Sequence, residues 1–317
     1  MRLLSKLEIR QAMSKVTSMV KSVMKRENPY WSFRAILGLE KKYGFKSSFY
    51  FPVRKGYGID CEVNEEIKKA IREIAQEKRE ICLHGSYESY NDAKRLRGEK
   101  ETLEEILGRH VSGIRQHFLR FDVTRTWRIQ EKTGLKYDAT YGYADQIGFR
   151  ASISFPFNPY DLINDKKSSI LELPLTIMDK TLLARMELTL DEAWVHAKEL
   201  LEIIKRNNGL AVILWHNTAF DKEDYPGWAE VYRRILEYLS KQDSWVVSSG
   251  AVARWWKHRN FLKIETKIEE NTVKWNLTGN GWVKTYLPEG WKVTNRDENE
   301  VLTRVCGSME ILASKTE

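Results

Sequence analysis

Apolar positions along this chain change period repeatedly, and the changes mark out its elements. Ile9, Met13, Val16, Val20 and Val23 recur every three or four residues, the stripe of an amphipathic helix. From residue 31 short apolar runs alternate with helical stripes. Ser32–Tyr43 reads as a helix ended by Gly44, Ser47–Val53 as a strand, and Asn64–Glu77 as a helix with Asn64 as its N-cap. Ile81–His84 reads as a strand and Asn91–Gly108 as a charged helix. Further strands are expected at Gly113–Phe118, Leu135–Thr140, Ile170–Ile177, Leu210–His216 and Trp245–Ser249, with helices at Thr124–Thr133, Asp191–Arg206 and Trp228–Ser240. Runs such as A-V-I-L-W (211–215) are apolar throughout, as in sheets buried on both faces. This rhythm predicts an α/β fold, a barrel of about seven parallel strands.

After residue 259 the pattern shortens. Lys263–Ile268, Thr272–Leu277, Trp282–Tyr286 and Trp291–Thr294 alternate partly, and T-G-N-G (278–281) and L-P-E-G (287–290) read as turns between them. Three segments result: a basic amphipathic helix over 1–27, the barrel over 28–259 and a small antiparallel β appendage over 260–317. Asn158–Ser169 reads as a polar loop.

Charge refines this picture. The net charge of +8 is concentrated in the first 27 residues, which hold seven basic and two acidic residues. The remainder carries no basic stripe with interleaved aromatics, which argues against a nucleic-acid partner. The basic helix could lie on an anionic membrane or pack by its stripe on the domain. No apolar run approaches the ~20 residues of a membrane span, and no signal-peptide core precedes the domain. Cys61, Cys82 and Cys306 are widely spaced and form no C-x-x-C, so no zinc ribbon or redox motif is expected, and a reducing cytoplasm fits best.

Candidate chemistry falls at strand C-termini, which converge on one face of a parallel barrel. Four polar clusters sit there: E-I-C-L-H-G-S-Y (80–87), G-I-R-Q-H-F-L-R-F (113–121), Y-D-A-T-Y-G-Y-A-D (137–145) and V-I-L-W-H-N (212–217). His84, Arg115, Asp138 and His216 are thereby candidates for one cleft. With K-Y-G-F-K-S-S-F-Y-F (42–51), their order and wording from about Trp31 to Trp256 resemble the polysaccharide deacetylase family of carbohydrate esterases.

The resemblance implies a distorted (β/α) barrel that removes acetyl groups from N-acetylated sugars. It implies a divalent metal, zinc or similar, that activates water, a carboxylate base and a histidine acid. His84 falls where the family has its first metal histidine. The second metal position is Glu88, a carboxylate in place of histidine. Arg115 matches the family's arginine, and R-Q-H in place of R-x-P makes His117 a further candidate. Asp138 is a plausible partner for fixing a histidine tautomer. His216 matches the general acid. Asn217 borders it, and Tyr143 and Trp215 are candidates to stack a sugar or to pack in the core.

One family feature has no counterpart. The first strand and its acidic pair should precede Trp31, yet Met1–Arg26 contains no Asp and only Glu8 as an acid. Two expectations follow: a start that omits this strand, or a degenerate, glycan-binding member of the fold. A barrel short of one stave has open edges, to be covered by the basic helix or by a second subunit.

Overall fold

The computed structural model describes residues 31–57, 63–269, 272–286, 291–293 and 300–315. The basic helix of 1–27 and the L-P-E-G turn lie outside the described residues. The chain divides into two compact units, Met1–Gly250 and Ala251–Glu317.

In the first unit, α1 (Phe33–Lys42) leads into β1 (Ser48–Phe51), α2 (Glu65–Gln76), β2 (Glu80–Gly85), α3 (Ala93–Leu107) and β3 (Gly113–Gln116). α4 (Thr126–Lys132) and β4 (Tyr137–Asp138) follow. A two-stranded antiparallel hairpin, β5 (Tyr160–Asp161) and β6 (Lys166–Lys167), occupies the loop expected at 158–169. Then come β7 (Leu171–Glu172), β8 (Ile177–Met178), α5 (Leu190–Arg206), β9 (Ile213–Leu214) and α6 (Trp228–Ser240); α7 (Ser249–Asn260) begins at the unit's end and runs on into the second. β1-β2-β3-β4-β7 form one parallel sheet and β8-β9 a parallel pair, the staves of a distorted (β/α) barrel.

The helix ends follow local chemistry. Asn64 caps α2 by accepting from Ile67 N at 2.9 Å, and Asp92 caps α3. Thr189 and Glu192 close a capping box on α5, and Gly108 ends α3 in the left-handed conformation. Apolar faces of α1, α2 and α3 bury Ile36, Ile71, Ile74, Leu96 and Leu103 against Phe49, Phe51, Leu83 and Ile114 of the sheet. α5 and α6 bury a second cluster, including Ala193, Leu201, Val231 and Ile235, against Ile177.

Two expected strands take another form. Ile170–Ile177 is split into β7 and β8 because Pro174 has no N–H to give a ladder. Trp245–Ser249 forms no ladder. Its end is held at β1 and β2 by side chains instead: Ser249 N donates to Ser48 Oγ at 2.8 Å, Tyr50 Oη to Ser249 Oγ at 3.1 Å, and Gly250 N to Glu80 Oε2 at 2.7 Å.

Packing is close at β3. A Cβ at Gly113 would overlap the Tyr137 ring, which is 1% exposed and hydrogen-bonded to Cys82 Sγ. Gly113→Ala is therefore expected to destabilise the protein by about 1–3 kcal/mol, measured by urea unfolding; an unchanged midpoint would show that the ring can yield.

In the second unit β10 (Lys263–Glu269), β11 (Thr272–Tyr286), β12 (Trp291–Val293) and β13 (Glu300–Lys315) form an antiparallel sheet in the order β10-β11-β13-β12. The turn expected at T-G-N-G is absent: β11 runs through it in register with β13, with Gly279 opposite Gly307 at φ +131°. The unbroken pairing with β13 outweighs the local turn preference.

Candidate functional site

The C-terminal ends of the parallel strands carry a polar cluster. β2 ends at His84, and the loop that follows is fixed from beneath. Ser86 donates through N and Oγ to the buried Glu99 at 3.1 and 2.5 Å, and Ser89 Oγ donates to Gln116 Oε1 at 3.1 Å. A Cβ at Gly85 would overlap Gln116, so this strand end requires glycine. Across the ladder His84 pairs in register with Arg115, and His84 Nε2 lies 2.9 Å from His117 Nδ1.

Burial holds His84 well below the usual imidazole range, and positive charge on His117, His216, Arg115 and Lys180 pushes the same way. His84 is therefore neutral near pH 7 and shares one N–H with His117. The same influences place His117, His216, Arg115 and Lys180 within electrostatic reach of His84.

His216 follows β9. Its Nδ1 lies 2.6 Å from Asp179 Oδ1, and its backbone N donates to Asp179 Oδ2 at 2.8 Å. Asp179 is fully buried and also accepts from Lys180 N at 2.7 Å. It stands at the end of β8, just before a single π-helical turn at Thr181–Arg185. The carboxylate fixes the ring with Nδ1 as donor and leaves Nε2 to exchange a proton with a ligand.

Arg115 is buried, donates from Nε to Ala139 O at 2.8 Å, and lays its guanidinium 4.4 Å from the Tyr50 ring centroid. Next to it Asp138 on β4 pairs in register with Glu172 on β7, both fully buried. Asp138 Oδ1 accepts from Thr140 Oγ1 at 2.5 Å and Gln130 Nε2 at 3.1 Å. Glu172 accepts from Trp127 Nε1 at 2.7 Å and Tyr141 N at 3.1 Å. Burial, and then the charge of Asp138, raises the Glu172 carboxyl well above its ordinary range. Glu172 is thus the protonated partner, and its proton goes to Asp138.

No protein-family model matches the chain and no curated protein matches its sequence. Its backbone is similar to that of a probable polysaccharide deacetylase from Pseudomonas aeruginosa, at 18% identity over 73% of each chain, with a TM-score of 0.52. The chain has a polysaccharide deacetylase-like fold. It is also similar to a CE4-family pseudoenzyme from Bacillus anthracis, at 12% identity over 69% of this chain and 59% of that one, TM-score 0.41.

Against the pattern expected of a polysaccharide deacetylase, several residues change role. Asp138 does not fix a histidine; Asp179 does, and Asp138 is spent on Glu172, Thr140 and Gln130. Glu88 is half exposed and pairs with Arg95 at 3.7 Å, not with His84. Among the described residues no group of three or more His, Cys, Asp or Glu is disposed to hold a metal ion. His84 and His117 bond each other, and both oxygens of Asp179 and of Glu172 are engaged, so this donor set among the described residues does not fit a divalent ion.

Of the two residues expected to stack a sugar or to pack in the core, Trp215 does the latter. Trp215 stacks on Tyr232 with ring centroids 5.4 Å apart and packs on the α5–α6 core. Tyr143 is half-buried in the loop after β4. Asn217 opens a 3-10 turn, and its carbonyl accepts from Ser32 Oγ at 2.6 Å. Among the described residues no helix is long and apolar enough to cross a membrane.

Proposed function

We propose that this chain is a polysaccharide deacetylase-type hydrolase, cleaving the carbon–nitrogen bond of an N-acetyl group on a glycan or glycan precursor. The His216–Asp179 pair carries this reading, because a histidine with one nitrogen fixed by a buried carboxylate is the arrangement a general acid needs. Water adds to the acetamide carbonyl, and collapse of the tetrahedral intermediate breaks the C–N bond. The amine leaves with a proton from His216 Nε2, and acetate is the other product.

His84, kept neutral by its burial, is the proton acceptor for the attacking water. Lys180, exposed beside it, supplies positive charge to the developing oxyanion. The test is acetate release from N-acetylated chito-oligosaccharides by the purified chain. Turnover is expected; no acetate above the rate in buffer would overturn the reading.

A second reading, a glycan-binding relative without chemistry, has its own support in a donor set that, among the described residues, includes no group of three metal-ligating side chains. Oligosaccharide binding with no acetate release would select it.

A further inference from the structure

We propose that Tyr57, Tyr87 and Phe118 form a stacking platform for a pyranose ring of an oligosaccharide, on the rim beside His84 and His117. The choice of a sugar as ligand rests on the glycan reading above; the platform itself rests on exposure, ring geometry and backbone strain.

The three rings form a contiguous cluster. Tyr57 lies 4.7 Å from Tyr87 and 5.9 Å from Phe118 between centroids, and Tyr87 lies 5.9 Å from Phe118. This is not core packing, because Tyr57 is 67% exposed and Phe118 52% exposed. Phe118 also touches the site directly, with its ring 4.3 Å from that of His117. A ligand chain reaching His84 and His117 therefore extends onto these rings.

The backbone is strained to present them. Phe118 and Leu119 sit at φ +56° and +52°, two consecutive non-glycine residues in the left-handed region. Leu119 turns into the core while Phe118 turns out to solvent. Such strain persists where the surroundings over-determine it, and it clusters at ligand sites.

Tyr87 is held from behind. The Arg120 guanidinium lies 3.8 Å from the Tyr87 centroid and 4.2 Å from that of Tyr90, and donates to Tyr87 O and Tyr90 Oη, each at 3.0 Å. Glu88 is the next residue, half exposed, and comes within 4.0 Å of the position a Cβ would take on Gly56, in the loop that carries Tyr57. Aromatic faces take the C–H face of a sugar ring, and an adjacent carboxylate accepts from its hydroxyls. Glu88 thus belongs to the rim as a hydroxyl acceptor, not to a metal site.

The test is calorimetric binding of N-acetylated chitohexaose, cellohexaose and xylohexaose to the wild type and to Tyr57→Ala, Phe118→Ala, the double variant and Tyr57→Phe. The wild type should bind at least one. Each alanine should weaken that binding about 3- to 10-fold and the pair more, while Tyr57→Phe keeps the ring and the affinity. Tyr57 is exposed enough that its loss should not disturb folding. No binding of any hexaose by the wild type, or unchanged affinity in the double variant, would overturn the platform. Acetate release is scored separately. Binding through the rings without acetate would sink the hydrolase and keep the platform; acetate release with unchanged affinity in the double variant would do the reverse.

Discussion

Replacing His216 with alanine is expected to lower kcat for acetate release by about 10²–10⁴-fold, the usual worth of a positioned proton donor. Without it the amine must leave as an anion or wait for a proton from solvent. Asp179→Asn should lower kcat by about 10–100-fold, because a carboxamide cannot serve as a charged acceptor for both the ring and the backbone N–H of His216. Proton donation is made only in the transition state, so kcat and kcat/KM should fall together and oligosaccharide affinity should stay near wild type. Affinity and activity falling in step would instead mark His216 as a binding residue. Activity of His216→Ala within about threefold of wild type would remove it from the chemistry altogether.

The fold was legible in the alternation of apolar runs with helical stripes, because parallel strands buried on both faces and amphipathic helices have different periods. His84, Arg115 and His216 were legible because each stands at the polar end of such a run. Asp179 was missed although T-I-M-D ends a run just as V-I-L-W-H does. The strand was expected to end at Ile177, and Pro174 hid the restart that makes β8 a separate stave. Glu172 was missed inside I-L-E-L-P-L, where a lone acid among apolar residues is itself the signal of a partnered buried group.

The failures beyond the barrel have tertiary causes. The T-G-N-G turn yields to pairing with β13, whose length the local pattern does not disclose. Within the barrel, Asp138 was expected to fix a histidine, yet Glu172, distant in sequence, stands opposite it in register. The aromatic rim was invisible because Tyr57, Tyr87 and Phe118 lie on three separate segments.

The shared proton of Asp138 and Glu172 makes stability depend on pH in a direction opposite to that of ordinary ion-paired carboxylates. Both carboxyls are raised in the folded state by burial, Glu172 further by the charge of Asp138. The folded chain therefore binds more protons than the unfolded chain at any pH between the unfolded carboxyl value, about 4.3, and the raised folded value. The stabilisation is fully present below that unfolded value and is lost as pH rises through the folded one. The slope is at most about 1.4 kcal/mol per pH unit for one proton.

Glu172→Gln keeps a donor toward Asp138 and an acceptor for Trp127 Nε1, loses the acceptor for Tyr141 N, and carries no titrating proton. Its stability should lie below wild type near pH 5.5 by the cost of the lost Tyr141 N bond, and gain on wild type at pH 8.5, by urea unfolding at both values. Glu172→Ala leaves Asp138, Trp127 Nε1 and Tyr141 N without their partner, at a cost of about 3–5 kcal/mol. Parallel pH curves for wild type and Glu172→Gln would mean that no proton is held between the two carboxyls. The charge on Asp138 would then have to be balanced by Arg115, its cationic neighbour. Arg115→Met would distinguish the two cases: with the proton in place it should weaken the pH 8.5 form more than the pH 5.5 form, because only the former needs a cation for its second charge.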